Sequence, residues 1–346
     1  MKVLFLIKGW RVPSSRYRVL QYIPFLKGRG FETQVIPFPR TLGEHWAFFT
    51  SLPHYDIVFL QKRRLPWLSL WLLKKRDNRI VYDFDDSVMY RSSRHANQSS
   101  FSRRWAFRQM VKASDAVIAG NQFLKGEALR YVGEEKVWVV PTAVDVNSYP
   151  PKDYGTKQDA IILGWIGSGP TLWYLQNLIP VLENLCKRYP QLKLMVVSDE
   201  FFDSPTIPII KKKWALEDEI SDLQSFDIGL MPLTEDVWSQ GKCGLKAVQY
   251  SAAGIPIVCS PVGINREIVR DGLNGYLAST DAEWMEKISR LVDDPSLRVQ
   301  MGKRGRNRVE TAFSVDVTLK KVLDLFQRLC LREQIERMRE GSSGDS

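Results

Sequence analysis

The feature that most constrains the fold is a repeated alternation of short apolar segments with longer segments of helical periodicity. The short segments are rich in Val and Ile, a composition typical of strands that are buried on both faces. Strands that alternate with helices form parallel sheets. The sequence therefore predicts a doubly wound α/β protein, with strands at 3–7, 33–37, 57–60, 80–84, 116–119, 137–140, 160–166, 192–198, 227–231, 256–260 and 276–278.

A polar passage at 147–159, with two prolines and a glycine, reads as a linker between two such sets of strands. We expect two α/β domains, at 1–150 and 156–316, because domains usually run to about 150 residues. Apolar residues recur at helical spacing from Leu172 to Tyr189, which predicts one helix packed on the core. A long helix over about 317–340 and a disordered tail at 341–346 should complete the chain.

Positive charge is concentrated in the first domain. The net charge is +10, and residues 1–150 carry 24 of the 49 Lys and Arg residues but only 12 of the 39 Asp and Glu residues. Such an excess indicates an acidic partner, such as anionic lipid headgroups, a pyrophosphate-linked acceptor or nucleic acid. Nucleic acid is disfavoured, because no recognition helix or RNP motif accompanies these residues.

Cysteine, histidine and hydropathy patterns indicate the cellular compartment and the kinds of site to expect. The four cysteines have no paired spacing and no histidine cluster beside them, which argues against disulfides and structural zinc and favours a reducing cytosol. His45, His54 and His95 are expected to be exposed to solvent. Apolar runs fall far short of the roughly 20 residues that cross a bilayer, so we expect a cytoplasmic protein.

Ligands of open α/β sheets bind beyond the carboxyl ends of the strands, so the residues there are candidates. Gly167, Ser168 and Gly169 follow strand 160–166 and precede a helix, where backbone amides and the helix dipole favour phosphate. The run is not a dinucleotide fingerprint, because Leu172 stands where a third glycine belongs. An ordinary strand-to-helix turn stays open as an alternative.

Residues 241–250, GKCGLKAVQY, form the second candidate segment. Its glycines lead into a helix that runs to Gly254, and the spacing of Lys242, Lys246 and Gln249 places them on one face. Gln249 can bond a ribose hydroxyl, although a solvated polar face is the alternative. The helix dipole and two ammonium groups would form a diphosphate site with the amides of Cys243, Gly244 and Leu245.

Two more features of the second domain suit the same ligand. The polar loop at 232–240 follows a predicted strand and can contact a sugar. Trp214 can lie against a nucleotide base, with a buried structural tryptophan as the alternative.

An acidic cluster, Asp83, Asp85 and Asp86 of the sequence YDFDDS, ends strand 80–84 in the first domain. Packing does not explain acidic residues at a strand end. They can orient an acceptor hydroxyl or act as a base, and their proximity is expected to raise at least one pKa. A metal site is a weaker alternative, because no second acidic cluster is evident.

Basic residues follow the first strand and the third. We expect the segment after the first strand to face the ligand's phosphates or the acceptor through Arg11, Ser14, Ser15, Arg16 and Arg18. Residues 62–76, KRRLPWLSLWLLKKR, are apolar with basic ends, which fits either an interfacial helix at a membrane or a buried helix with charged ends.

These residues resemble glycosyltransferase family 4, retaining enzymes of the GT-B fold, over nearly the whole chain. The blocks that carry the likeness are SSRYR at 14–18, YDFDDS at 82–87, GWIGSGPT at 164–171 and KCGLKAVQYSAAGIPIV at 242–258. The resemblance implies two Rossmann-like domains facing a central cleft. It places a nucleotide-diphosphate sugar in the second domain and the acceptor on the first, with the C-terminal helix packed back on the first.

The resemblance also implies the chemistry. Family members usually need no metal or other cofactor, and the leaving phosphate takes the acceptor proton while the anomeric configuration is kept. Lys246 and the amides near Ser168 would then stabilise the developing diphosphate charge. The expected acceptor is lipid-linked or a polysaccharide, and the basic first domain allows peripheral contact with an anionic membrane.

One departure from the family pattern affects the sugar site. Two glutamates eight positions apart are usual, but Gly241 and Gln249 stand at those positions. The expected carboxylate must come from elsewhere, with Glu235 or Asp236 as the candidates. A nucleotide-sugar epimerase of the same fold and a donor-binding protein without catalysis therefore stay open as alternatives.

Overall fold

A computed structural model describes the backbone of residues 1–155 and 159–342, and their side chains up to residue 331. The chain divides into two compact units. Unit 1 comprises Met1–Thr142, Gln240–Cys243 and Val315–Ser346, and unit 2 comprises Ala143–Ser239 and Gly244–Ser314. Part of the expected linker, 156–158, and part of the expected tail, 343–346, lie outside the described residues.

Strands and helices alternate through the described chain. The strands are β1 (Lys2–Ile7), β2 (Glu32–Pro37), β3 (Ile57–Gln61), β4 (Arg79–Phe84), β5 (Ala116–Ala119), β6 (Val137–Val139), β7 (Ile161–Ile166), β8 (Leu192–Ser198), β9 (Ile209–Lys213), β10 (Ile228–Met231), β11 (Ile257–Cys259) and β12 (Tyr276–Leu277). The α-helices are α1 (Pro13–Arg18), α2 (Ile23–Lys27), α3 (Leu42–Ser51), α4 (Trp67–Lys74), α5 (Phe101–Ala113), α6 (Gln122–Leu129), α7 (Gly169–Gln176), α8 (Ile179–Arg188), α9 (Glu219–Gln224), α10 (Val237–Gln240), α11 (Leu245–Ala252), α12 (Asn265–Ile268), α13 (Asp281–Asp293), α14 (Pro295–Ala312) and α15 (Val315–Ser342).

Unit 1 contains one six-stranded sheet in the order β2-β1-β3-β4-β5-β6, and every pairing in it is parallel. The order reverses between β1 and β3, so the sheet is doubly wound. α15 packs on one face, where Phe326 contacts the core beside Phe5 with ring centroids 6.5 Å apart. Full burial of a side chain such as Phe326 stabilises the fold by about 1.5–3 kcal/mol.

Unit 2 repeats the plan, with the order β12-β11-β10-β7-β8-β9 and parallel pairing throughout. The predicted doubly wound α/β class is therefore confirmed for both sheets. The sequence reading missed β9, whose residues IIKKK are more than half lysine. β9 is an edge strand, and lysines at an edge discourage pairing with another chain, so a strand can form there without an apolar run.

One helix prediction needs correction. The apolar stripe from Leu172 to Tyr189 does pack in the core, but it belongs to two helices, and α8 restarts with Pro180 in its first turn.

His45 was expected to be exposed. It is instead 9% exposed on the buried side of α3, with its ring centroid 5.7 Å from that of Phe49, and burial lowers its pKa.

Candidate functional site

The first group of candidate residues lies at the carboxyl edge of the second sheet, where the strand order reverses between β7 and β10. Gly167 follows β7 directly, and Lys246 extends from α11 along it. A Cβ at Gly167 would overlap the Trp165 ring and lie 3.0 Å from Lys246 Cε. Lys246 Nζ is 5.0 Å from the centroid of the Trp165 ring. The fold thus brings together two segments that the sequence predicted separately.

Backbone amides of the glycine-containing turn have protein partners. Gly167 N donates to Val197 O at 3.0 Å, and Gly169 N donates to Asp199 Oδ1 at 2.6 Å. A carboxylate therefore sits at the N-terminus of α7, where the sequence predicted a ligand phosphate. In this arrangement positive charge at the turn comes from Lys246 rather than from the amides of Gly167 and Gly169.

Trp214 and Gln249, predicted to contact base and ribose, are held by a single carboxylate. Trp214 Nε1 donates to Glu219 Oε2 at 3.0 Å, and Gln249 Nε2 donates to Glu219 Oε1 at 3.2 Å. Gln249 also donates to Tyr149 Oη at 3.3 Å and is only 3% exposed. Sequence reasoning missed Glu219, because no local pattern distinguishes it from other helix-terminal glutamates.

Lys242 does not share a helix face with Lys246 and Gln249, contrary to the prediction. α11 begins at Leu245. Gly244 before it has φ 67°, a left-handed conformation, so the helix does not extend back to Lys242. Cys243 and the residues before it pack in unit 1, whereas Gly244 belongs to unit 2. The two lysines therefore belong to different units.

The two carboxylates proposed to replace the missing glutamates differ in position. Asp236 Oδ1 accepts hydrogen bonds from Trp238 N and Ser239 N, both at 2.9 Å, so Asp236 caps the start of α10. Its other oxygen accepts from Thr234 Oγ1 at 2.5 Å. Glu235 is exposed and makes none of these capping bonds. Of the two, Glu235 is the carboxylate that faces solvent.

A second group of charged residues lies at the carboxyl edge of the first sheet. Lys62 Nζ is 3.0 Å from Asp85 Oδ1 and also pairs with Asp86 Oδ2. Lys242 Nζ is 3.0 Å from Asp86 Oδ1. Sequence reasoning assigned Lys62 to the apolar segment 62–76. Its position directly after β3, beside the switch point, is the signal that would have identified it.

These ion pairs set the protonation of the acidic cluster. Burial opposes ionisation of Asp86, but Lys242 and Lys62 outweigh burial and hold the pKa of Asp86 well below its ordinary value. Burial raises the pKa of Asp83 despite the neighbouring Arg18, and Asp85 adds to the rise. One raised pKa in the cluster agrees with the prediction, although burial rather than like charge is its main cause. Asp86, a carboxylate whose pKa is held low, is a weak proton acceptor at neutral pH.

Two residues expected to face a ligand are structural in unit 1. Arg18 is 5% exposed, its Nε lies 3.2 Å from both carboxylate oxygens of Asp83, and its Nη1 donates to Val140 O at 2.7 Å. Ser15 is buried and donates to Gln61 Oε1 at 2.8 Å. Their partners satisfy both side chains inside the fold, so neither reaches a ligand in this conformation. Of that segment, Arg11 is exposed, and the half-buried positions are Ser14 and Arg16.

Close packing holds segment 240–243 in unit 1. Asn121 Nδ2 donates to Gln240 O at 3.0 Å and to Lys242 O at 3.1 Å. A Cβ at Gly241 would overlap Ser87 Oγ and lie 2.8 Å from Ser87 N. Cys243 is buried against Gly120, and burial raises the pKa of its thiol. The position where the family has a glutamate thus has no room for a side chain.

Two kinds of feature are absent from the described residues. No group of three or more His, Cys, Asp or Glu side chains among them is arranged to hold a metal ion. Within the same residues, helices of the length and apolarity needed to span a bilayer are absent.

Comparison with known proteins gives matches in both halves of the chain. The model described as Glycosyltransferase Family 4 matches residues 5–148, and the model described as Glycosyl transferases group 1 matches residues 214–308. A D-inositol 3-phosphate glycosyltransferase of Corynebacterium kroppenstedtii is 22% identical over 259 residues, which is 65% of this chain and 56% of the relative. The chain spans about half the length of the first curated relatives that it matches.

Solved structures share the fold. Sucrose-phosphate synthase from Thermosynechococcus elongatus superposes with a TM-score of 0.71 at 16% identity, covering 96% of this chain and 99% of that one. Anabaena Alr3699/HepE in complex with UDP and glucose also gives 0.71, at 14% identity, covering 94% and 99%.

Proposed function

Because the chain belongs to the family 4 glycosyltransferases of the GT-B fold, we propose that it transfers a sugar from a nucleotide-diphosphate donor to an acceptor with retention of anomeric configuration. The observation that carries this proposal is the placement of Lys246 beside Gly167, at the switch point of the second sheet. A cation at that place can pair with the diphosphate of a donor.

Unit 2 binds the donor. Lys246 takes the diphosphate, and the Trp214, Glu219 and Gln249 array supports the nucleoside. Glu219 supplies a carboxylate next to Gln249, the position where the family has its second glutamate. The neighbour Alr3699/HepE was solved with UDP and glucose, which supports a uridine nucleotide as the first donor to test. Glu235 is the carboxylate proposed for the sugar.

In the transfer, the bond between the anomeric carbon and the diphosphate oxygen breaks as the acceptor oxygen bonds to that carbon. The acceptor proton passes to the leaving diphosphate, so Asp86 is not needed as a base. Lys246 stabilises the charge that develops on the leaving group, and loss of one such contact typically costs about 10²–10³ in rate.

The acceptor is proposed to carry phosphate or to be a glycan. Support comes from the excess of positive charge in residues 1–150 and from the acceptor that the name of the similar D-inositol 3-phosphate glycosyltransferases gives. Exposed Arg11 and half-buried Arg16 are the residues of unit 1 proposed to contact it. A lipid-linked diphosphate saccharide is the second acceptor class to test.

The test measures nucleoside diphosphate release from UDP-, GDP- and ADP-sugars, with inositol phosphate or lipid-linked saccharide as acceptor. Lys246→Ala should lower kcat by about 10² or more, whereas Lys303→Ala, an exposed lysine on α14, should leave it unchanged. Unchanged turnover in Lys246→Ala would refute the site. Interconversion of donor sugars without any acceptor would instead identify an epimerase.

A further inference from the structure

Large apolar side chains are exposed on three consecutive helices of unit 1. Four of the five tryptophans with more than a third of their surface exposed lie on α3, α4 and α5. Leu42 and Phe101 on the same helices are 85% and 83% exposed. Isolated exposed apolar residues are ordinary, but a group of this kind marks an interaction surface. The tryptophans are Trp46, Trp67, Trp71 and Trp105.

The three helices lie side by side. The Arg76 guanidinium, after the end of α4, donates to Thr50 O of α3. On the other side of α4, Arg64 Nη1 donates to Arg103 O of α5 at 3.4 Å. Each helix turns one apolar face into the core, with Phe49, Leu70 and Phe107 buried, and presents the other to solvent. The exposed aromatic residues therefore belong to one continuous layer of helices.

Positive charge is interleaved with these rings. Helices α4 and α5 contain five Lys and Arg residues and no Asp or Glu. Lys75 Nζ lies 5.2 Å from the centroid of the Trp71 ring. A surface cavity of about 590 Å³ is lined by Phe101, Arg104, Trp105, Arg108, Lys112 and Arg130. The layer thus combines apolar rings with guanidinium and ammonium groups around an open cavity.

We propose that this aromatic–basic face, defined as Leu42, Trp46, Trp67, Trp71, Phe101 and Trp105 with Arg104, Arg108 and Lys112, docks on an anionic phospholipid bilayer. Tryptophan rings favour the depth of the lipid headgroups, and Lys and Arg side chains pair with lipid phosphates. Arg104, Arg108 and Lys112 are spaced by four residues on α5, so one headgroup phosphate can bind among them in the cavity.

The features favour a bilayer over other partners. A glycan stacks on one or two rings. Glycan binding therefore does not explain exposed Leu42 or the apolar residues spread over three helices. A protein interface is usually depleted of lysine at its centre. The sequence left open whether segment 62–76 is interfacial or buried, and in the fold α4 has one buried face and one exposed face. Leu70 and Leu73 are buried while Trp67 and Trp71 are exposed.

The proposal stands apart from the transferase activity and is tested without donor or acceptor. The full chain is floated with phosphatidylcholine vesicles, with and without 30% phosphatidylglycerol. Flotation should occur with the anionic vesicles, weaken in 0.5 M NaCl, and be accompanied by quenching of tryptophan fluorescence by brominated lipid. Absence of flotation, or equal binding to neutral vesicles, would overturn it, and so would tighter binding to a soluble acidic polysaccharide.

Variants locate the contact. The triple variant Arg104→Ser/Arg108→Ser/Lys112→Ser should weaken vesicle binding about tenfold or more, because each substitution removes one positive charge near the membrane surface. Trp67→Ser/Trp71→Ser should weaken it about fivefold or more. The matched controls are Lys187→Ser/Lys193→Ser/Lys303→Ser, three exposed lysines of unit 2, and Trp10→Ser, the fifth exposed tryptophan. Controls that lose binding equally would overturn the assignment.

The wild-type measurements of salt dependence and quenching need no variant and decide the proposal if a variant misfolds. Unfolding temperature is recorded for each variant. Arg104→Lys/Arg108→Lys should retain most of the binding, because a bilayer responds to charge, and loss of binding in that variant alone would contradict a lipid surface.

Discussion

Close packing around Gly241 leaves no room for the glutamate that the family usually has there, and the stability of Gly241 variants tests this explanation. A Cβ at this position would overlap Ser87 Oγ, lie 2.8 Å from Ser87 N and lie 3.0 Å from Leu124 Cδ2. The backbone nitrogen cannot rotate away, so Gly241→Ala requires a shift of the chain. Overpacking of this kind costs about 1–3 kcal/mol. For a unit of this size, the unfolding temperature should fall by roughly 2–12 °C.

The assay is calorimetric unfolding of the full chain, with Gly126→Ala as the matched control. Gly126 lies within α6 of the same unit and has nothing within 4 Å of its added Cβ. Replacing this helical glycine should stabilise by about 0.5–1 kcal/mol, so the same transition should move upward. Gly241→Glu should be at least as destabilised as Gly241→Ala and should gain no transferase activity.

Ser87→Ala separates the two contacts. It removes the Oγ overlap but keeps the backbone nitrogen, so the double variant with Gly241→Ala should recover part of the lost stability. An unchanged unfolding temperature in Gly241→Ala would refute the packing argument, and a fall of equal size in Gly126→Ala would show that the effect is not specific to the site.

Four further predictions follow from the charged groups. Arg18→Met should lower the free energy of unfolding by about 3–5 kcal/mol in urea titrations, because Asp83 is left buried without its cation, and Arg18→Met/Asp83→Leu should be less unstable than Arg18→Met. Asp86 has a lowered pKa when folded, so the stability it contributes is present above its unfolded pKa of about 3.9 and is lost as pH falls below about 4. Lys242→Met should therefore be destabilised at pH 7 and approach the wild type in acid unfolding curves. Glu219→Ala should weaken donor binding about tenfold in thermal-shift titrations, since it frees two side chains of the nucleoside array. Turnover should be unchanged by EDTA, because Lys246 supplies the positive charge at the diphosphate, and loss of turnover restored by added Mg²⁺ would contradict that assignment.

How much of the site could be predicted differs between the two units. The carboxyl-edge rule placed Gly167, Asp85 and Asp86 at the sheet edges from the strand pattern alone, and helix periodicity placed Lys246 on α11. Periodicity failed for Lys242, because it was extended back through Gly244, whose left-handed conformation precedes the start of α11 at Leu245. Glu219 gave no local signal, because its role arises only from contact with residues 5 and 30 positions away.

The sequence by itself determined the class of fold and the edges of the sheets where the candidate residues lie. Apolar strands buried on both faces are typical of a parallel sheet covered by helices, and local composition records that pattern. Tertiary structure decided which charged side chains are already paired within the protein. Arg18 and Lys242 look like ligand-binding residues in the chain, but Asp83 and Asp86 accept them in the fold, since ion pairing depends on distances that no spacing along the sequence specifies.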